Sequence, residues 1–349
     1  MNALPSPRRR TVITGAVAAA AGALGLPLTL GSGRAAATED RLVGIAYSPW
    51  FPPTTWSSNG GCTWGTPQLG PYDSSDPAVI RQHGEWLAGA GVDFLLIDWS
   101  NNIDYPADPG RTDIKAIEDA TAAVFATFAH MPSPPRLAIL IGTSHAADYT
   151  NGRIQAKADQ VYRDFVSDPV RGPLYQTFRD KPLLVDYAGT PALFPDGPPP
   201  WDDQRFTVRH MTGFVSDQPS LLDGRVSKYG YWSWEDRGEQ TYPVVDGVPE
   251  AMVVNAAVRG DPDGWVSENK REGREGGRTF VSKWDRAVAV GPRVVLVQSF
   301  NEWTGCPEKP GEEMSPEFSN DIEPSVELGT LYLDLLGQQV ARFKGSGDA

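Results

Sequence analysis

This sequence contains few cysteines and histidines, and it has no excess of basic residues over acidic ones. Among 349 residues there are 2 cysteines and 4 histidines, and 31 basic residues stand against 44 acidic ones, a net charge of −13 at pH 7. Neither the cysteines nor the histidines have the spacing of a metal-binding motif, so we expect no metal and no other cofactor. A polyanion requires clustered lysine and arginine, so we also expect no nucleic-acid partner.

The composition is also biased neither toward apolar residues nor toward polar ones. Hydrophobic residues make up 40% of the chain and the mean hydropathy is −0.34. These values exclude a disordered chain and a membrane protein with many spans. Eleven tryptophans are many for this length. They suggest flat apolar faces used for binding, although a single tryptophan more commonly packs in a core.

Residues 1–37 contain four arginines and no acidic residue, and an alanine- and glycine-rich run ends at three alanines, 35–37. This is typical of a secretory signal peptide, and adjacent arginines before a weakly hydrophobic run resemble the twin-arginine type. The alternative is an uncleaved membrane anchor, but large apolar residues are few. We therefore predict a bacterial protein exported to the cell envelope or medium. Its mature chain, 38–349, is predicted to be monomeric, with no integral membrane span.

Short apolar runs alternate with helical stretches or long loops along the mature chain. Eight runs predict strands, at 42–50, 93–101, 136–145, 182–187, 206–214, 229–234, 251–257 and 294–303. The clearer helices are predicted at 76–90, 113–130, 152–166, 278–290 and 325–343. This alternation predicts an α/β protein, a single-domain (β/α)8 TIM barrel with elaborated βα loops. A doubly wound sheet is the alternative, but no GxGxxG follows the first strand.

Polar and aromatic side chains follow the ends of these strands, where barrels of this type place their chemistry. Aromatic rings stack on the apolar faces of sugars, while amides and carboxylates bind sugar hydroxyls, so the pattern indicates a carbohydrate partner. The residues that we predict to bind substrate are Tyr47, Trp50, Trp99, Asn101, His145, Asp186, Tyr187, His210, Trp232, Trp234, Asn255, Asn301 and Trp303.

Glycoside hydrolysis requires two carboxyl groups, one that protonates the leaving oxygen and one that assists attack at the anomeric carbon. We predict that Glu302, Asp98 and Glu235 are the catalytic residues. Each has a structural alternative, since a strand-end carboxylate often caps a helix or holds an arginine. Two other functions remain open: a non-catalytic carbohydrate-binding barrel and another exported hydrolase or lyase.

The eighth strand ends in a motif that resembles a known family. Ser299-Phe300-Asn301-Glu302-Trp303, with Ile322-Glu323-Pro324 downstream, is similar to the Asn-Glu-Trp…Ile-Glu-Pro signature of glycoside hydrolase family 99. That family includes endo-α-mannosidases and endo-α-mannanases. Residues 45–51 and 91–99 resemble its first and second strands. The resemblance implies a retaining (β/α)8 hydrolase without metal, in which Glu302 acts as a base on the 2-hydroxyl of the sugar.

The sequence departs from this family at the second catalytic position. The family places a glutamate two residues after the tryptophan, and Gly305 stands there in this chain, followed by a longer segment at 306–320. The acid is then supplied by Glu308, Glu312 or Glu313 in that segment, or by Asp98 or Glu235 across the barrel. The remaining possibility is that the activity has been lost.

The two cysteines, Cys62 and Cys306, follow the first and the last predicted strands. In a closed barrel these strands are neighbours, so their loops leave the same face side by side. Export to an oxidising compartment makes a bond between them chemically reasonable. We therefore predict a disulfide, with two unrelated cysteines as the alternative.

Overall fold

Eight parallel strands surrounded by helices form a nearly closed barrel in the computed structural model of the protein. The structure describes residues 41–52, 56, 63–104, 108, 110–258, 271–303 and 315–345. The predicted signal peptide, both cysteines and the three glutamates between 308 and 313 lie outside the described residues. The predicted (β/α)8 barrel is confirmed.

The barrel strands correspond to the eight apolar runs of the sequence. They are β1 (Leu42–Tyr47), β2 (Phe94–Trp99), β3 (Arg136–Gly142), β4 (Lys181–Tyr187), β5 (Thr207–Thr212), β6 (Trp232–Ser233), β7 (Ala251–Asn255) and β8 (Val294–Gln298). All neighbouring pairs are parallel, in the order β7-β8-β1-β2-β3-β4-β5-β6. The first and last strands of the chain are therefore hydrogen-bonded neighbours, as predicted.

The helices cover the outside of the strands. They are α1 (Pro77–Gly89), α2 (Thr112–Phe128), α3 (Ala147–Thr150), α4 (Arg153–Val161) with a π-helical continuation (Tyr162–Val166), α5 (Arg278–Val290) and α6 (Leu331–Gly345). The Asp76 side chain caps α1 by accepting a hydrogen bond from the Ala78 N–H at 2.8 Å. Of the helices that the structure describes, none is long and apolar enough to cross a membrane.

The last helix begins six residues later than the sequence predicts. The predicted start at Ser325 is wrong because Ser325 and Gly329 exchange backbone hydrogen bonds and close a turn. Gly329 has a φ of 59°, in the left-handed region that favours glycine, and α6 begins two residues later.

The stretch after β4 consists mainly of loops, as its proline and glycine content indicates. Single 3-10 turns lie there at Pro191–Leu193, Val215–Asp217, Pro219–Leu221 and Glu275–Gly277, and another, Gly172–Leu174, precedes β4. Short antiparallel pairs join Thr177–Phe178 to β4, Leu222–Asp223 to Val226–Ser227, and Val244–Val245 to Val248–Pro249. The turns at Pro191–Leu193 and Val215–Asp217 follow the ends of β4 and β5 and so elaborate the barrel face on which the strands end, whereas Thr177–Phe178 and Val248–Pro249 lead into strand starts at the opposite face.

Alternation along the strands separates two apolar layers. One buried cluster includes Ile45, Ile97 and Val297 and packs against helical residues. The other includes Leu96 and Leu296, and its buried members come from the strands, so it fills the interior of the barrel. Four side chains continue this inward-facing series at the C-terminal ends of their strands. They are Asp98, Tyr187, Asn255 and Gln298.

Candidate active site

Asp98 lies at the end of β2 on the inner face of the barrel and is 3% exposed. The Ser100 N–H donates a hydrogen bond to its Oδ1 at 2.7 Å. Burial raises the pKa of the Asp98 carboxyl from 3.8 to about 6, and the hydrogen bond from Ser100 opposes that rise. Asp98 can therefore hold a proton in weakly acidic solution.

Glu235 and Glu302 are brought to the same side of the mouth by one segment after β8. The Asn320 side-chain amide donates to Glu235 Oε1 at 2.6 Å. In the next residue along the chain, Asp321 Oδ1 accepts a hydrogen bond from the Glu302 N–H at 2.6 Å. Consecutive residues thus hold the carboxylate of Glu235 and the backbone of Glu302, two of the three predicted catalytic residues, which lie 67 positions apart in the sequence.

Asp321 is a buried anchor for the end of β8. Its Oδ1 also accepts a hydrogen bond from the Ser299 hydroxyl at 2.5 Å. Its Oδ2 accepts from the Trp64 indole N–H and the Ser319 hydroxyl, both at 2.7 Å. Burial raises the pKa of Asp321, and these hydrogen bonds and the charge of Arg274 act in the opposite direction. Four donors on one carboxylate fix the backbone from which Glu302 projects.

Three half-buried aromatic side chains lie at the mouth. Tyr187 and Trp234 pack edge to face at the ends of β4 and β6, with ring centroids 6.3 Å apart. The Trp50 indole N–H donates to the Asp98 carbonyl oxygen at 3.2 Å, which ties the end of β1 to the end of β2. Stacking of a sugar on these rings stays a prediction.

Trp303 and the downstream Glu323 form the buried wall beside this mouth. Glu323 accepts hydrogen bonds from the Trp303 indole N–H at 2.5 Å and from the Tyr72 hydroxyl at 2.8 Å. The third contact of Glu323 is His83 Nε2 at 3.1 Å. Trp303 stacks on Trp64 with centroids 4.6 Å apart. The Ile-Glu-Pro motif therefore supports the wall, and Trp303 contributes packing rather than an exposed face.

Asn301 fastens β8 to β1. Its Oδ1 accepts from the Ser48 N–H at 2.8 Å, and its Nδ2 donates to the Ser48 carbonyl oxygen at 3.0 Å. The side chain is fully buried. The structure therefore gives Asn301 a supporting place next to the predicted base.

Tyr47 and Trp99 point away from the mouth into the layer between strands and helices. The Tyr47 hydroxyl contacts His83 Nδ1 of α1 at 3.0 Å, and burial with the nearby charge of Glu323 raises its pKa. The Trp99 indole N–H donates to the Thr121 hydroxyl of α2 at 2.8 Å. Both rings are about 1% exposed. We therefore leave them out of the sugar site.

Two further residues that were predicted to bind substrate, Asp186 and His210, lie outside the barrel interior, and a third, Trp232, lies at its base. Buried Asp186 accepts a hydrogen bond from the Tyr149 hydroxyl at 2.9 Å and contacts His210 Nδ1 at 2.9 Å. These three groups form a polar cluster beneath α3. The Trp232 indole N–H donates to Glu250 at 3.1 Å, at the N-terminal end of β7. No hydrogen bond between described residues links Asp186, His210 or Trp232 to Asp98 or Glu302.

Asn101 and His145 lie on the rim, beyond the ends of β2 and β3. Both are exposed and line a cavity of about 340 Å³ that also borders Asp148 and Arg153. Arg153 pairs with Asp148 at 3.3 Å. This cavity is adjacent to Asp98 through Ser100 and extends the polar face of the barrel.

Asn255 is the last residue of β7 and faces the interior. Its Nδ2 donates to the Ala257 carbonyl oxygen at 2.9 Å. Within the described ranges, no group of three or more histidine, cysteine, aspartate or glutamate side chains has the arrangement of a metal site. The expected absence of a metal stays a prediction.

Sequence reasoning missed three residues that shape this site: Asp321, Asn320 and Gln298. Asp321 directly precedes the Ile-Glu-Pro motif, and a second acid beside a motif acid was the available signal. Asn320 and Gln298 carry no sequence signal of their own, because a polar residue next to a strand end is common.

The comparisons with known proteins agree with this architecture. No family model matches the chain. A human protein described as glycoprotein endo-alpha-1,2-mannosidase-like protein (Homo sapiens) is 25% identical over 267 residues, covering 68% of this chain and 55% of that protein. The chain thus spans about half the length of this curated relative.

Solved structures with this barrel are similar across most of the chain. Two are of the GH99 endo-alpha-mannosidase from Bacteroides thetaiotaomicron, one in complex with bis-tris propane; each has a TM-score of 0.57 at 16% identity, covering 89% of this chain and 99% of that one. A protein described as glycoside hydrolase-like has a TM-score of 0.52 at 14% identity, covering 86% and 94%. At these identities the likeness establishes the fold.

Proposed function

We propose that this protein is an exported glycoside hydrolase related to family 99 that cleaves α-linked manno-oligosaccharides or mannans. The observation that carries the proposal is the set of three carboxylates at one mouth: Asp98 inside the barrel, and Glu235 and Glu302 held by Asn320 and Asp321. The half-buried rings around them suit a sugar. The relative and the neighbouring structures, described as mannosidases, support the substrate class.

Asp98 is the acid in this proposal. With a pKa of about 6 it carries a proton at weakly acidic pH and gives that proton to the glycosidic oxygen as the bond to the anomeric carbon breaks. The leaving sugar departs as an alcohol, and Asp98 is left as a carboxylate. This assignment fills the role that Gly305 leaves vacant relative to the family motif.

Glu302 is the base. Its carboxylate takes the proton from the sugar's 2-hydroxyl, whose oxygen bonds to the anomeric carbon as the bond to the leaving oxygen breaks. Water then attacks the anomeric carbon and gives a proton to Asp98, while the 2-oxygen leaves that carbon and takes its proton back from Glu302, so the configuration is retained and both carboxyl groups are restored. The hydrogen bond between its N–H and Asp321 holds its backbone still during this step. An orienting contact of this kind supports a proton transfer that needs accurate geometry.

Glu235 stabilises the positive charge that develops on the sugar ring. Its Oε1 accepts a hydrogen bond from Asn320, which holds the carboxyl group in place. A fixed negative charge beside an oxocarbenium-like transition state lowers the barrier more than it lowers the energy of the bound substrate. Glu235 needs no proton of its own for that role.

The proposal also includes four properties of the whole chain. They are export by the twin-arginine route, removal of residues 1–37, the disulfide and a monomeric state. The arginine-rich start and the alanine run before Thr38 support export. An oxidising destination in turn supports the disulfide.

The test is incubation of the purified protein with α-1,2-linked mannotetraose and, as a control, with a β-linked glucotetraose of equal length. New reducing ends measured by chromatography are expected from the α-linked substrate alone. Release from neither would contradict the proposed activity. Gly305 favours a second candidate, a sugar-binding barrel without turnover, and calorimetric binding of mannotetraose without cleavage would support it.

A further inference from the structure

Two carboxamides on the inner face of the barrel have hydrogen-bonding atoms without partners. Gln298 is the last residue of β8 and is fully buried, yet neither its Oε1 nor its Nε2 makes a hydrogen bond. Asn255, fully buried at the end of β7, uses its Nδ2 but leaves its Oδ1 unbonded. The two residues are register partners across β7 and β8.

The side chains of these residues point into the barrel. Gln298 follows Leu296 by two positions and Asn255 follows Ala251 by four, and both of these apolar residues belong to the interior cluster. On the other side of Gln298 lies Ala46 of β1, because Ile45 pairs with Val297. A small side chain there leaves the carboxamide facing the barrel axis, at the end where Asp98 and Glu302 lie.

Keeping these groups unbonded is unfavourable in the folded protein. A buried polar atom without a partner has lost its hydrogen bonds to water and gained none, whereas an apolar side chain of the same shape carries no such cost. Three such atoms at one interior position therefore indicate a partner that joins the protein from outside. The unbonded atoms include both an amide donor and amide acceptors, which suits a partner that donates and accepts hydrogen bonds.

We propose that Gln298, assisted by Asn255, binds one hydroxyl group of the sugar at the point of cleavage. A sugar hydroxyl both donates and accepts, which matches the Gln298 amide N–H and the acceptor oxygens Oε1 of Gln298 and Oδ1 of Asn255. The inference rests on the proposed glycoside hydrolase function. It adds a residue that would contact the substrate from the barrel interior. A site built in this way rejects a sugar that lacks the hydroxyl.

The first experiment compares Gln298→Met with Gln160→Met. Methionine is unbranched and flexible, so it fills a glutamine site without added branching. Gln160 is buried too, but its amide bonds Glu118 at 2.6 Å and its carbonyl accepts from Lys157 at 3.1 Å. We expect Gln298→Met to keep or raise the Tm while it lowers kcat/KM for α-1,2-linked mannotetraose at least about tenfold. Gln160→Met is expected to lower the Tm and to leave kcat/KM unchanged.

The opposite result identifies a structural role. If an internal water satisfies Gln298, then Gln298→Met lowers the Tm and leaves kcat/KM as in the wild-type protein, and the inference is overturned. If the wild-type protein neither binds nor cleaves mannotetraose, the proposed function fails instead, which is a different outcome of the same assay.

The second experiment needs no variant to fold. Singly deoxygenated mannotetraoses, each lacking one hydroxyl of the sugar at the cleavage point, are assayed with the wild-type protein. One of them is expected to lose about tenfold or more in kcat/KM. With Gln298→Met, that analogue and the parent substrate should react at nearly equal rates. Equal rates for all analogues with the wild-type protein would overturn the inference.

Discussion

At the scale of single residues, burial decides what Asp98 can do. Its pKa of about 6 lies above its ordinary value of 3.8, so the folded protein holds this proton more tightly than the unfolded chain does. The free energy of unfolding therefore falls as the pH rises from about 4 to about 6, and the buried carboxylate destabilises the fold above that range. A residue that acts as an acid is expected to have this property.

Asp98→Asn should remove that pH dependence. The free energy of unfolding of the variant minus that of the wild-type protein should increase between pH 4 and pH 7 by up to about 3 kcal/mol, from a shift of two pKa units. Urea unfolding at the two pH values measures the difference. The same difference at both pH values would contradict the raised pKa.

Asp321→Asn tests how Glu302 is positioned. The amide places an NH2 group against donors such as the Trp64 N–H or the Ser319 hydroxyl, so the segment that holds the Glu302 N–H must shift. We expect kcat to fall about tenfold or more while KM changes little, because the geometry of the proton transfer is disturbed. Steady-state kinetics measure both constants. Asp334→Asn, on the exposed side of α6, is the control.

Which strand-end residues face the mouth could not be predicted from the sequence. The strands are buried on both faces, so their apolar runs are continuous and carry no alternation that marks the inner side. Trp99 and Asp98 therefore looked equivalent, although adjacent residues must point in opposite directions. The structure resolves the choice, with Asp98 inside and Trp99 against α2.

At the scale of elements, the strands could be predicted from the sequence, but the hydrogen bonds that connect their ends could not. Each apolar run became a barrel strand, and α5 has the predicted bounds, 278–290. The start of α6 was wrong because Gly329 closes a turn ahead of it. Asn320 donates a hydrogen bond to Glu235, 85 positions away, and the Tyr72 hydroxyl donates to Glu323, 251 positions away. No local sequence pattern encodes contacts over such separations.

The predicted disulfide would join the segments that follow β1 and β8, and these two strands are hydrogen-bonded neighbours in the barrel. It would close a loop of about 240 residues (306 minus 62), for which chain entropy gives on the order of 5 kcal/mol. Titration of the denatured exported protein with a thiol reagent should find no free thiol. Two free thiols per chain would show that Cys62 and Cys306 are unrelated.

At the scale of the whole molecule, the net charge and the barrel face agree with the proposed chemistry. Removing residues 1–37, with four arginines and no acid, takes the net charge from −13 to −17, which suits a neutral substrate better than an acidic one. Asp98 lies at the end of β2, and Glu235 and Glu302 follow β6 and β8, so the three acidic residues lie on the face where the strands end. The same barrel in a mannosidase structure shows that the fold accommodates this class of reaction, while the residues of this mouth carry the argument for it.

The most direct measurement is kcat for α-1,2-linked mannotetraose with the wild-type protein and with Glu302→Gln. Exposed Glu85→Gln on α1 is the matched control. If Glu302 is the base, the Glu302→Gln variant folds, binds mannotetraose as the wild-type protein does and turns it over at least about 10²-fold more slowly. Near-normal turnover by Glu302→Gln, with Glu85→Gln equally active, would contradict the account.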